Sequence, residues 1–211
     1  MLLYELFSTG IYEDTSIIED VQQPWGDLED MDPHQQYRHL HDTASDLKQT
    51  LDRNLSLAAE KATGVKGAKV ITDIKSFPSF KNKVYQRGYA PSKLTDVLRA
   101  TVLVKKRSDM EEVADSIQKM FDVISYEVKS KPDNKFGFFG PHVFIVELDG
   151  VAIEVQLMTR RMKAFSKEAH KIYQKYRADS DNPEKNYSKE LFRKANLPIE
   201  IPSKKQKSLS Q

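Results

Sequence analysis

A seven-residue run, LRATVLV at positions 98–104, sets the strongest limit on what this chain can become. It is almost continuously apolar, rich in β-branched residues and too short for a buried helix. It therefore reads as a strand covered on both faces, in the middle of a sheet. Asp96 stands at its entrance and Lys105 at its exit.

Around that run the hydrophobic period changes several times. Upstream, Tyr37, Leu40, Ala44, Leu47, Leu51, Leu55 and Ala58 recur at helical spacing, with Asp32 or Pro33 to open the helix and Gly64 to stop it. KVIT, just before Asp73, is a short β-branched strand. PSFKNKVYQ predicts a second helix with Phe80, Val84 and Tyr85 turned inward. Downstream, Met110, Val113, Ala114, Ile117 and Phe121 mark an amphipathic helix opened by Ser108 or Asp109. Glu111 and Glu112 lie in its first turn, where acids favour the helix dipole.

VISYEVK is then a strand, KPDNKFG a polar loop, and HVFIVEL and VAIEVQL a pair of strands joined by Asp149-Gly150, a dipeptide that tolerates the positive φ of a tight hairpin. A helix from Arg160 to Arg177, a short segment near Ser188–Ala195 and the basic tail KKQKSLSQ follow. This order predicts an α+β fold, a mixed β-sheet of about five strands flanked by helices, rather than a doubly wound one. Residues 1–32 are acidic and broken by Pro24, Trp25 and Gly26, so they are expected to form a loosely structured arm. The main domain is expected over residues 33–180, with a C-terminal helix and basic tail over 181–211.

Composition narrows the function classes. With 211 residues, 39% hydrophobic and 30% charged, the chain can bury one core under a heavily charged surface. No stretch approaches the roughly 18 apolar residues of a membrane span. Cysteine is absent, which excludes disulfides, iron–sulfur clusters and thiolate zinc sites. The N-terminus has no basic n-region, so a secretory signal is not expected, and the expected location is the cytoplasm of the producing cell or, for a delivered effector, of a target cell. The net charge is only +2, so attraction to nucleotides or RNA must come from local clusters. HExxH, GxSxG and GxxxxGK[ST] motifs are all missing.

Several residues have the chemistry for phosphoryl transfer. In VAIEVQLMT, Glu154 and Gln156 alternate with Ile153, Val155 and Leu157, so both polar groups project from one face; the ordinary alternative is the solvent face of an edge strand. Asp96 and Glu154 together are candidate Mg²⁺ ligands, since that ion is held by few carboxylates plus phosphate oxygens. Lys75, Lys81, Lys83 and Arg99 are candidate cations for a polyphosphate, although each alone reads as a solvated charge or a cap. KFGFFGPH offers glycines for close approach and aromatics that stack on a base or pack in a core. His170, Tyr173 and Arg177 share one helix face.

Five segments, in this order, resemble the RelA/SpoT alarmone-synthetase family over roughly residues 40–178. IKSFPSFKNKV resembles its substrate-gripping segment, through Lys75, Ser79 and Lys83. TDVLRATVLV resembles the strand opened by its magnesium-binding aspartate, Asp96 here. FGFFGPH resembles its glycine–tyrosine–x–serine–x–histidine stretch, with Gly137 and His142 retained and Phe138 in the tyrosine's place. IEVQLMT resembles its glutamate–x–glutamine strand, giving Glu154 and Gln156, and EAHKIYQKYR its following helix, with His170.

The resemblance implies a nucleotidyltransferase-like synthetase fold and an ATP-dependent pyrophosphokinase that uses Mg²⁺ at Asp96 and Glu154. The implied donor is ATP and the implied acceptor the 3′-hydroxyl of GDP, GTP or an adenine nucleotide. Glu154 would activate that hydroxyl, Phe138 would stack its base, and Lys75, Lys83 and Arg99 would face the transferred pyrophosphate. The pattern is also departed from: Asp73 and Thr101 stand where many members have arginines, Met158 replaces another, and Gly140 replaces the serine. Such departures suggest a divergent, toxin-like branch. Two alternatives accompany the first reading: transfer to the 3′ end of tRNA, aided by the basic tail, and a nucleotide- or partner-binding module that has lost turnover.

Overall fold

The computed structural model describes residues 23, 28, 30–64, 69–129, 140–166, 168, 187, 189–191, 193 and 194. Helix α1 spans Pro33–Thr63, and its entry is the one the sequence marks. Asp32 accepts from the amides of His34 and Gln35, the Gln35 side chain reaches back to the Asp32 amide, and Pro33 occupies the first helical position. Gly64, at φ 63°, closes the helix in the left-handed region that glycine enters without a Cβ penalty.

Strand β1 (Lys69–Ile74) leads to a short helix α2 (Phe77–Lys81), which runs directly into a π-helical turn at Asn82–Gln86. The expected second helix is therefore present over its whole length, with its second half wound as a wider π-helical turn. Phe80 and Val84 face inward as expected, whereas Tyr85 is 45% exposed, because the wider turn rotates it outward to donate to Gln36 Oε1 at 2.6 Å. Strand β2 (Leu98–Val104), helix α3 (Asp109–Met120), and strands β3 (Asp122–Val128), β4 (His142–Leu148) and β5 (Val151–Thr159) follow, and residues 160–166 begin a helix α4.

The five strands form one mixed sheet in the order β1-β2-β5-β4-β3. β2 and β5 are parallel and the other pairs antiparallel. The α+β architecture expected from the order of elements is present. Its middle strand, however, is β5 and not β2. Both are buried along their whole length, but only β5 has strands on both sides that are themselves internal. β4 and β5 meet through Asp149 (φ 51°) and Gly150 (φ 80°), the two-residue turn whose twist matches the strands it joins.

The two faces of the sheet differ. Ala100, Val102, Phe144, Val146, Ile153, Val155 and Leu157 lie on the face that packs with the stripe Leu40, Ala44, Leu51, Leu55 and Ala58 of α1 and with Val113, Ala114 and Ile117 of α3. The other face carries Arg99, Thr101, Glu154 and Gln156, paired across β2 and β5 as Arg99–Glu154 and Thr101–Gln156.

Part of the stretch expected to be loose is held. Leu28 is buried in the core and its carbonyl accepts from Gln36 Nε2 at 2.7 Å, and Gln23 is buried as well. Leu191, from the C-terminal stretch, also joins the core. Among the described residues no helix is long and apolar enough to cross a membrane.

Burial along α1 gives a direct test of this packing. Leu51 is fully buried and Leu57 is 42% exposed on the same helix. Leu51→Ala is expected to cost about 2–5 kcal/mol by chemical denaturation and Leu57→Ala less than about 0.5 kcal/mol.

Candidate active site

The site grows from the two chain segments that enter and leave the β1–β2 corner. Lys75 directly follows β1, and its backbone is pinned at both polar groups: its amide donates to Val97 O at 2.8 Å and its carbonyl accepts from Tyr37 Oη at 3.0 Å. Asp96 precedes β2 and is almost wholly buried. The Lys75 Nζ to Asp96 Oδ2 distance is 2.8 Å, with both side chains 1% exposed. Lys83, from the π-helical turn, reaches the same oxygen at 3.0 Å, and Arg99 Nη1 stands 3.9 Å from it. Lys83 also lies over the Tyr89 ring, 5.2 Å from its centroid.

One carboxylate oxygen thus gathers three cations from three elements. Burial alone would raise the Asp96 pKa, but the charges of Lys75, Lys83 and Arg99 and the Lys75 hydrogen bond outweigh it and hold the group far below the usual carboxylate range. Lys75 is lowered to about 8, first by burial, with Asp96 opposing the shift and Arg99 and Lys83 adding to it. At neutral pH both are charged. Each pair attraction near 2.8 Å amounts to about 6 kcal/mol at an effective dielectric of ~20, and desolvation removes several kcal/mol per ion, so the cluster adds little net stability. What it creates is a fixed excess of positive charge in a dry place.

Glu154 faces this cluster from β5. Its amide donates to Thr95 O at 2.9 Å, tying the middle of the sheet to the residue before Asp96. Burial raises its pKa first and the negative charge of Asp96 next, with Arg99, Lys83 and a hydrogen bond from Gln156 Nε2 (2.9 Å) acting in the opposite sense. Glu154 and Gln156 are 7% and 1% exposed, so their alternation with apolar residues does not mark a solvent face. It marks a buried polar face.

Acceptor atoms on this face remain open. Asp96 Oδ1, Gln156 Oε1 and Asp73 Oδ2 are buried and have no hydrogen-bond partner among the described residues. Asp73 pairs with Arg99 across β1 and β2. Beside them Lys163, 8% exposed on α4, donates to Thr101 Oγ1 at 3.3 Å. In TRRMK Lys163 reads as one more charge at the start of a helix; only its contact with Thr101 places it at the polar face of the sheet. Among the described residues no group of three or more histidines and carboxylates could hold a metal ion. Two carboxylates with an unpartnered Asp96 Oδ1 are nevertheless the sparse oxygen donor set that suits Mg²⁺ shared with phosphates.

The structure therefore brings together Lys75, Lys83, Asp96, Arg99, Glu154 and Gln156. Lys81 is exposed. Ser79 is half-buried on α2 and accepts from Ser76 Oγ at 3.0 Å. His142 pairs with Leu157 and so lies on the helix-packed face, with Tyr126 Oη at 2.9 Å from Nδ1 and Glu111 Oε1 at 3.7 Å from Nε2. Burial lowers its pKa, partly opposed by Glu111. Phe138, His170, Tyr173 and Arg177 lie outside the described residues.

A buried pair of carboxylates at the entrance of a parallel strand pair, beside three clustered cations, has the chemistry that phosphoryl transfer requires. The family model "Region found in RelA / SpoT proteins" matches residues 72–179, and the chain belongs to that family. Comparison with curated proteins finds no match. Among solved structures the chain is similar to small alarmone synthetase 2 from Bacillus subtilis, at 20% identity and a TM-score of 0.63, covering 75% of this chain and 91% of that one. It is also similar to small alarmone synthetase 1 from Bacillus subtilis bound to its product pppGpp, at 17% identity and a TM-score of 0.55, covering 75% and 87%. A third similar structure is the type VI effector Tas1 in complex with its immunity protein, at 16% identity and a TM-score of 0.52, covering 75% and 93%. These likenesses establish the shared fold.

Removing the hub has a predictable cost. Asp96→Ala strands Lys75 as a buried, uncompensated charge and should destabilise the chain by about 3–5 kcal/mol, whereas the double variant Asp96→Leu, Lys75→Met should recover most of that loss in urea unfolding. The sign with pH follows from the depressed Asp96 pKa: its contribution is full above about pH 4 and is lost as pH falls toward the folded value.

Proposed function

We propose that this chain is an ATP-dependent pyrophosphokinase that transfers pyrophosphate to the 3′-hydroxyl of a guanine or adenine nucleotide, as a (p)ppGpp or (p)ppApp synthetase does. The observation that carries the reading is the position of Glu154, a buried carboxylate of raised pKa, on the same sheet face as the Asp96 cluster. Membership of the RelA/SpoT family and the pppGpp-bound neighbour support the reaction class.

Asp96, through Oδ1, and Glu154 would hold Mg²⁺, which when bound supplies charge neutralisation to the phosphates of ATP. The chain's own residues do the rest. Glu154 accepts the proton of the acceptor 3′-hydroxyl, which its raised pKa favours. The hydroxyl oxygen forms a bond to the β-phosphorus of ATP, the bond from that phosphorus to the α–β bridging oxygen breaks, and AMP leaves. Lys75, Lys83 and Arg99 are already fixed in the folded chain, so they meet the charge developing on the transferred group without reorganisation. Gln156 holds Glu154 through Nε2 and offers its open Oε1 to a donor on the acceptor.

The test is incubation of the full chain with Mg²⁺ and β,γ-labelled ATP beside GDP or GTP, ADP or ATP, and tRNA in separate reactions. Label should enter a nucleotide, and Glu154→Gln should lower kcat by about 10²–10⁴-fold. Label in tRNA alone would replace the acceptor with RNA, and no Glu154-dependent label anywhere would leave a binding module. The pH profile of kcat/KM should be bell-shaped. Its acid limb belongs to Glu154 and lies above the ordinary carboxylate range, while its alkaline limb near about 8 follows loss of the Lys75 proton.

A further inference from the structure

Between Leu94 and Ala152 the sheet is completed by a side chain instead of a strand. β2 first pairs with β5 at Arg99–Glu154, so the backbone of Ala152, two residues earlier, has no β2 partner in the ladder. Gln23 takes that place. Its Nε2 donates to Leu94 O at 2.9 Å and to Ala152 O at 2.7 Å, and its Oε1 accepts from the Ala152 amide at 2.8 Å. Its own amide donates to Ser92 O at 3.0 Å. The side-chain orientation is set by chemistry, since two carbonyls can face only the NH₂ group and an N–H only the amide oxygen. Gln23 is 4% exposed, so these bonds are shielded from water.

The location gives the contact its meaning. Leu94 lies two residues before Asp96, and Ala152 two residues before Glu154. The direct bond between these segments, Glu154 N–H to Thr95 O at 2.9 Å, lies immediately beside the Gln23 contacts. We propose that Gln23 is a positioning residue: it clips the Asp96 loop to the start of β5 and so sets the spacing of Asp96 and Glu154. The functional part of this inference rests on the pyrophosphokinase reading above; the clip itself does not. Gln23, remote in sequence from either carboxylate, thereby becomes part of the reactive geometry. Misplacement by about 1 Å at such a centre costs of the order of 10²-fold in rate, whereas ground-state binding is less sensitive.

The test uses the full chain with Gln23→Ala and Gln23→Glu. The second keeps the length and an acceptor but sets a carboxylate against two carbonyls, so both variants should open the clip. Hydrogen–deuterium exchange without substrate should rise about tenfold or more at the Ala152 and Glu154 amides, while the central amides of α1 stay at the wild-type rate. In the transfer assay kcat should fall about tenfold or more, with KM for ATP changed by less than about threefold. Unchanged exchange at Glu154 in both variants would overturn the proposal. So would faster exchange throughout the sheet and α1 together, which would make Gln23 a residue of global stability only. Wild-type kcat despite faster local exchange would also overturn it. Because exchange is read without turnover, a wild-type chain inactive in the assay would defeat the pyrophosphokinase reading, while the exchange results still decide whether the clip exists.

Discussion

Asp96 is the point on which the rest of the site depends. A single buried carboxylate oxygen receives Lys75, Lys83 and Arg99, three cations delivered by the residue after β1, a π-helical turn and β2. None of these positive charges would remain ordered in a dry cleft by itself, and the carboxylate would not remain ionised there without them. The arrangement is costly for folding and leaves excess positive charge, which suits a polyphosphate. The open Oδ1 of Asp96 keeps one oxygen free for a further ligand.

The sheet divides labour between its faces to make this affordable. One face packs with α1 and α3 through a continuous apolar core, the source of most of the folding free energy. The other is free to carry charge. β5 joins the two, since its odd residues Ile153, Val155 and Leu157 are core and its even residues Glu154 and Gln156 line the buried polar face. A central strand with neighbours on both sides is among the most rigid platforms a fold offers. Glu154 is further tied by its own backbone bond to Thr95, so the two carboxylates are held by main-chain hydrogen bonds and not by long side chains alone.

Much of this was legible in the residues. The helical stripe of α1, its Asp32 cap, the buried LRATVLV strand and the Asp-Gly hairpin follow from local patterns, and the structure has each of them. The gathering of Lys75, Lys83, Asp96, Arg99, Glu154 and Gln156 was expected from the order of motifs. Which strand lies in the middle was not legible, because a strand whose polar face is buried under its own charged cluster looks, in sequence, like a strand half-exposed to water. Lys163 and Gln23 were hidden for a related reason. Each is one polar residue among many, and only tertiary register brings Lys163 to Thr101 and Gln23 to Ala152. His142, in line with the site motifs by order, sits on the opposite face by pleat.

The most direct test of the central claim is a metal titration. Mn²⁺, as a spectroscopic substitute for Mg²⁺, can be followed by electron paramagnetic resonance in the presence of a non-hydrolysable ATP analogue, with the wild-type chain beside Asp96→Asn. The account predicts one tightly held ion per wild-type chain that depends on the analogue, and an affinity lower by about tenfold or more in the folded variant. Equal affinity in the two chains, or a tight ion bound without nucleotide elsewhere on the surface, would contradict the assignment of Asp96 as the hub of the site.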